Sequence, residues 1–304
     1  MKAPILLACL LLATAAAGAA DPAPRFDVAV TVDDLPAHGP LPRGLTRTGI
    51  AQSYLDTLKR HGVPEAYGFV NAKGITDADS EGALARWRQA GYPLGNHTYS
   101  HMGLSQAALK DWIDDVARNE AVLAARMGKD DWRWLRFPFL DPGRDPARHD
   151  GARAWLDQHG YRVADVTLGF DDWAYTDAYA RCLDKGDGAA IDALKAAYLR
   201  RVDAQIARNK ALSQRLYGRM VPQVLLTHVG AWSAATLPQV MQRLDAAGAR
   251  YVRLAQAQSD PAYRDASPHA GDGAMLERQA RERGVATAGL PEVEPVGQLE
   301  QLCR

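Results

Sequence analysis

Residues 27–34 read Asp27-Val28-Ala29-Val30-Thr31-Val32-Asp33-Asp34. A nearly unbroken apolar run of this length suits a strand covered on both faces, as in a parallel sheet flanked by helices. It ends in two adjacent acids. A second short run, Tyr92–Gly95, leads into His97-Thr98-Tyr99-Ser100-His101. One carboxylate and two imidazoles are the three protein ligands of a catalytic zinc that keeps its fourth position for water. The other carboxylate is then free to act as a base. Both groups stand where a strand ends, which is where open-ended α/β folds put their chemistry. The combination points to a metal-dependent hydrolase.

Working outward, short β-like runs alternate with longer helical ones. Strands are expected at Asp27–Val32, Ala66–Val70, Tyr92–Gly95, Trp134–Phe137, Tyr161–Asp165, Gln223–Thr227 and Arg250–Arg253. Leu109, Ile113, Val116, Glu120 and Leu123 recur at helical steps, with Ser105 as a candidate cap and Gly128 as the stop. A longer helix is expected over Ala190–Tyr217, its apolar side marked by Ile191, Leu194, Tyr198, Val202, Ile206 and Leu216. Four more fall at Thr48–His61, Glu81–Ala90, Ala147–His159 and Leu237–Ala247. Strand–helix alternation of this kind predicts a parallel α/β architecture, and seven strands favour an incomplete barrel.

Composition narrows the partners. The 304 residues carry 36 basic and 36 acidic side chains, with no Lys/Arg block to track a phosphate backbone, so nucleic acid is not expected as a partner. Lys2, the apolar run Ile5–Ala17 and the small residues to Ala20 read as a secretory signal over residues 1–20, which predicts an exported, periplasmic or secreted protein. The run is too short for a membrane span of roughly 20 apolar residues, so no stable membrane insertion is expected after cleavage. Cys9 lies inside that run. Cys182 and Cys303 remain, and their separation says nothing about whether they pair. Neither belongs to a CxxC pair, which excludes a thiolate zinc site. After Ser259 the pattern dissolves into turn residues and one short charged helix, Met275–Arg283, read as a C-terminal extension over 261–304.

Three further polar clusters close predicted strands. Arg136-Phe137-Pro138-Phe139 offers a cation that can pair with a carboxylate, Asp171-Asp172-Trp173 an acid beside a flat ring, and Leu226-Thr227-His228 a third histidine. Each alone has a structural reading as a salt bridge, a core ring or a buried hydrogen-bonded histidine. Five such clusters at strand ends are harder to set aside. His38 lies near the first cluster in sequence and could border a cleft there, but a surface role is the expectation. His61, His149, His159 and His269 fall at helix ends or turns and are expected to be solvated.

In order, Thr31-Val32-Asp33-Asp34, His97 to His101, Arg136 to Phe139, Asp171-Asp172-Trp173 and Leu225 to His228 resemble the five motifs of the polysaccharide deacetylases, the NodB-homology or carbohydrate esterase family 4 enzymes. The resemblance spans roughly Val28 to Leu254. It implies a distorted, incomplete (β/α)7 barrel with a catalytic domain over 21–260. It further implies Asp33 as base, Asp34, His97 and His101 as metal ligands, Arg136 as the holder of the base, and His228 as general acid. Asp172 would orient Arg136 or the histidine, the Phe139 N–H would help bind the oxyanion, and Trp173 and Leu226 would line the acetyl pocket. The implied activity is removal of acetyl groups from an N- or O-acetylated glycan by a monomer that uses Zn2+, with Co2+, Ni2+ or Mn2+ as other metals the ligand set accepts. Three positions depart from the pattern: Leu35 replaces a Gly, Phe139 a Tyr, and Val229 follows His228 in place of an acid. A zinc amidohydrolase acting on small non-sugar amides and a non-catalytic glycan-binding protein are the alternatives.

Overall fold

The computed structural model describes residues 25–264, 271 and 273–304. The signal reading of residues 1–20 and His269 lie outside these. In chain order the main elements are β1 (Phe26–Leu35), α1 (Arg47–Arg60), β2 (Ala66–Val70), α2 (Ala78–Gln89), β3 (Leu94–Asn96), α3 (Leu109–Met127), β4 (Trp134–Leu135), α4 (Pro146–Gln158), β5 (Arg162–Val163), β6 (Leu168–Gly169), α5 (Thr176–Lys185), α6 (Gly188–Tyr217), β7 (Gln223–His228), α7 (Ala231–Ala246) and β8 (Ala249–Val252). Three short helices follow: α8 (Leu254–Ala257), α9 (Pro261–Arg264) and α10 (Met275–Glu282).

All strand pairings are parallel, in the order β5-β4-β3-β2-β1-β7-β6, and β8 pairs with the start of β1. The ends of the sheet, β5 and β6, are consecutive in the chain and are joined by Ala164–Thr167, so the curled sheet is a barrel left open at that seam. β6 was not expected as a strand: two residues carry no periodicity to read.

The run Val28–Val32 does what its composition requires. Val28, Val30 and Val32 pack with the helices, while Ala29 belongs to a second cluster with Tyr67, Phe69, Trp134 and Val224. Thr31 and Asp33 share the parity of Ala29 and are buried, so the inner face turns from apolar to polar towards the strand's carboxyl end. At Gly95, an added Cβ would meet the Phe69 ring at 2.8 Å and the Trp134 carbonyl at 2.9 Å, which is the close backbone approach its place before the histidines suggested.

The end of α3 is as read, with Gly128 at φ 59°, but Ser105 does not cap its start. The Ser105 N–H and hydroxyl both donate to Asp141, and α3 begins after Ala108 without a side-chain cap. The C-terminal extension lies along α6. Arg208 and Arg215, one heptad apart, donate to the carbonyls of Pro291 (3.3 Å), Ala286 (2.8 Å) and Ala288 (2.9 Å). A disulfide joins Cys303 to Cys182 on α5. Among the described residues no helix is long and apolar enough to cross a membrane.

Candidate metal and acyl-transfer site

Five segments leaving the carboxyl ends of β1, β3, β4, β6 and β7 meet at one mouth of the sheet. β1 and β7 run with Asp33 opposite His228, so strand register alone sets those two residues side by side.

Asp33 is buried, and each of its oxygens lies 3.1 Å from Nη1 of Arg136. The guanidinium is held on its other sides, donating from Nε to the Ala164 carbonyl at 2.7 Å and from Nη2 to the Thr31 hydroxyl at 2.9 Å. Burial pulls the Arg136 pKa down and Asp33 pushes it back. A guanidinium stays charged regardless. Asp33 is thus a fixed anion with a fixed counter-ion.

Asp34 points elsewhere because its backbone is left-handed, at φ 63°. Its Oδ2 accepts from Nδ1 of His38 at 2.7 Å. Its Oδ1 is buried with no hydrogen-bond partner, 3.5 Å from Nε2 of His97 and 3.4 Å from Nε2 of His101. Burial alone would raise this carboxyl. The His38 hydrogen bond and the neighbouring imidazoles outweigh it and hold Asp34 well below the usual carboxylate range.

His97 Nδ1 lies 2.8 Å from the Arg136 carbonyl, an acceptor only, so Nδ1 carries the proton and Nε2 offers a lone pair. Burial pulls His101 down to about 4, leaving it neutral at pH 7. An orphaned carboxylate oxygen facing two ring nitrogens is an expensive arrangement without a cation and a ligand set with one. Asp34, His97 and His101 offer ligand atoms that all lie within 4.8 Å of one another, and so do Asp34, His38 and His228. The donor set fits a divalent metal.

His228 is fixed from behind by Asp172, which orients it rather than Arg136. The Asp172 carboxylate accepts from His228 Nδ1 (2.8 Å), the His228 N–H (2.8 Å), the Ser233 hydroxyl (2.7 Å) and the Trp173 N–H (3.1 Å). Burial would lower the His228 pKa. The charge and hydrogen bond of Asp172, aided by Asp34 and Asp33, push it up to about 9. Asp172 itself is held below the carboxylate range: burial opposes this, and the His228 charge and the hydrogen bonds prevail.

A cavity of about 560 Å³ opens above these groups, and Phe139, Trp173 and Leu226 line it. Phe139 and Trp173 are more than half exposed, and the Phe139 ring meets His101 edge-on at 4.5 Å between centroids. Gln205 of α6 and Glu277 of α10 line the same cavity, so the long helix between the last two motifs shapes the cleft. Six of the seven described non-glycine residues with positive φ (Asp34, Thr98, His101, Phe139, Leu140 and Asp171) lie in or beside these segments. Backbone strain of this kind collects at functional sites.

Several residues that act here were not readable in the sequence. His38, expected at the surface, is mostly enclosed and bonded to Asp34. A buried amide network holds the histidine turn. Asn96 accepts from the Thr98 N–H (2.9 Å) and from Asn119 (3.0 Å), Asn119 donates to the Val70 carbonyl (2.7 Å), and Asn71 donates to the Thr98 carbonyl (3.1 Å). Of the histidines expected to be solvated, His149 is buried against the Pro142 carbonyl. His61 pairs with Asp245 at 2.6 Å, and His159 stacks on Trp155.

Residues 20–164 match the model of the polysaccharide deacetylase family. Over that stretch the chain is similar to the polysaccharide deacetylase family. The match takes in Asp33, Asp34, His97, His101 and Arg136 and stops before Asp172 and His228. Solved structures share the deacetylase fold more widely. A chitin deacetylase from Colletotrichum lindemuthianum aligns at TM-score 0.54 and 20% identity, over 78% of this chain and 89% of that one. A polysaccharide deacetylase from Bacillus cereus aligns at TM-score 0.51 and 22% identity, over 75% and 92%. A carbohydrate esterase family 4 pseudoenzyme from Bacillus anthracis aligns at TM-score 0.52 and 14% identity, over 77% and 65%. At these identities the likeness is one of fold. No curated protein matches the sequence.

Proposed function

We propose that this chain is an exported, metal-dependent deacetylase that hydrolyses acetyl groups on an N- or O-acetylated glycan. One observation carries the reading: the partnerless, buried Oδ1 of Asp34 between His97 and His101, flanked by an arginine-held carboxylate and an aspartate-held histidine. A glycan-binding relic has no use for that set, since burying unpaired polar atoms costs stability.

Asp34, His97 and His101 would hold the cation, with zinc as the leading candidate and cobalt, nickel or manganese as alternatives. When bound, a divalent metal there supplies positive charge for a developing oxyanion and lowers the pKa of a water ligand towards about 7. Asp33 accepts the proton of the attacking water, its position fixed by Arg136. Water oxygen bonds to the acetyl carbon, giving a tetrahedral species whose oxyanion the Phe139 N–H helps to stabilise. The C–N bond breaks as His228 delivers the proton on Nε2 to the departing nitrogen. The products are acetate and a free amine. With its pKa near 9, His228 carries that proton at neutral pH. Trp173 and Phe139 offer flat, exposed rings for sugar faces at the rim, and Leu226 lines the acetyl pocket.

Incubation of the metal-loaded protein with N-acetylglucosamine oligomers should release acetate and expose amines, and a chelator should stop it. Metal-dependent hydrolysis confined to small non-sugar amides would replace this reading by the amidohydrolase one. Binding of oligomers without turnover would make the chain a glycan-binding protein.

A further inference from the structure

The loop that leaves β1 brings a fourth histidine to the candidate metal site. We infer that His38 is a positioning residue for Asp34, fixing that carboxylate as a one-oxygen metal ligand; the inference rests on the metal reading above.

A carboxylate facing a cation can bind through one oxygen or both, and rotation about its terminal bond exchanges them. At Asp34 the choice is already made. Oδ2 lies 2.7 Å from His38 Nδ1, and since a carboxylate oxygen accepts, Nδ1 is the donor. Only Oδ1 then faces His97 and His101. Outer partners of this kind orient ligands and tune metal affinity.

His38 can do this because it is itself held. Its backbone N–H donates to the Val229 carbonyl at 3.1 Å, tying the loop to the end of β7. Arg47 donates to the carbonyls of His38 (3.3 Å) and Gly39 (2.7 Å). Gly230 backs the residue so closely that an added Cβ would lie 3.1 Å from the His38 carbonyl oxygen and 3.5 Å from its Cδ2. The ring packs on that of His228, 4.6 Å between centroids. One side chain thus touches both the ligand Asp34 and the proposed acid.

The competing possibility is direct ligation, since His38 and His228 also lie within 4.8 Å of an Asp34 oxygen. Distances favour positioning: the Nδ1–Oδ2 contact is a formed hydrogen bond, whereas the atoms facing the orphaned Oδ1 belong to His97 and His101.

The test compares Zn2+ affinity, by chelator competition, and the Co2+ absorption spectrum for the native protein, His38→Ala, His38→Leu and His38→Asn. An asparagine places an amide N–H near the position of Nδ1 but offers no ring nitrogen. His38→Ala and His38→Leu are expected to weaken Zn2+ binding about 10- to 100-fold. His38→Asn should recover most of the loss and keep the native Co2+ band positions. Unchanged affinity in His38→Leu would overturn the inference. So would an asparagine variant as weak as the alanine one with shifted Co2+ bands, which would make His38 a ligand. If alanine prevents folding, the leucine–asparagine pair decides alone. Native protein that takes up neither metal would instead refute the metal reading itself.

Discussion

Replacing Asp172 by Asn should remove a pH-dependent part of the protein's stability and, with it, the proton that His228 is proposed to donate. The native carboxylate raises His228 from its ordinary 6.5 to about 9. Because the folded pKa lies above the unfolded one, the associated stability is fully present below pH 6.5 and is lost as pH rises through 9. At 1.36 kcal/mol per pH unit, that gap is worth about 3 kcal/mol. Other shifted groups act in other windows. His101, pulled down to about 4, costs stability as pH falls from 6.5 to 4, and the stability that Asp34 adds at neutral pH is lost only in acid. The measurement is denaturant unfolding of metal-free protein at pH 6.5 and 9.5. Native protein should lose about 3 kcal/mol between the two, and Asp172→Asn should show little change, because burial then acts on His228 with its main counter-charge gone. The variant should also start lower by about 1–3 kcal/mol, since an amide cannot accept all four hydrogen bonds made by Asp172. In the metal-loaded enzyme, amide hydrolysis should fall off at lower pH in the variant. An equal loss between pH 6.5 and 9.5 in both proteins would refute the pairing of Asp172 and His228 as the source of the shift.

The adjacent acids should fail differently: Asp33→Asn should keep bound metal while losing roughly 10²–10⁴-fold in turnover, and Asp34→Asn should lose metal affinity, as read by elemental analysis after dialysis. His228→Ala should cost roughly 10²-fold or more on an N-acetyl sugar and clearly less on p-nitrophenyl acetate, whose leaving group departs without a proton; equal losses in a protein of lowered melting temperature would indicate a structural histidine. Cys303→Ser should lower unfolding stability by up to about 5 kcal/mol, the chain-entropy scale for a closed loop of this length, with the same drop on adding reductant to the native protein and none in the variant.

Much of this site was visible in residues 27–34 and 97–101 because local pattern and chemistry coincide there. The apolar alternation of β1 fixes which side chains face inward, and register with β7 then sets Asp33 against His228. Other parts depended on contacts that no local pattern encodes. β6 is two residues long and exists only through its pairing with Leu225 and Leu226. His38 follows Asp34 by four residues, a spacing that reads as a solvated turn until the loop is tied back to Val229. Asn71, Asn96 and Asn119 lie on three different segments, so their shared network is a product of tertiary structure. Ser105 carries a capping residue's chemistry, yet Asp141, distant in sequence, claims both its donors. The disulfide likewise joins cysteines 121 residues apart, a pairing that the count of cysteines left open.

Acetate release from N-acetylglucosamine oligomers, followed in native protein and in His97→Ala with zinc present and after chelation, tests the proposed chemistry most directly. Turnover should require both zinc and His97, and stripped native protein should regain it when zinc is returned. Undiminished acetate release by the chelated protein or by metal-free His97→Ala would contradict it.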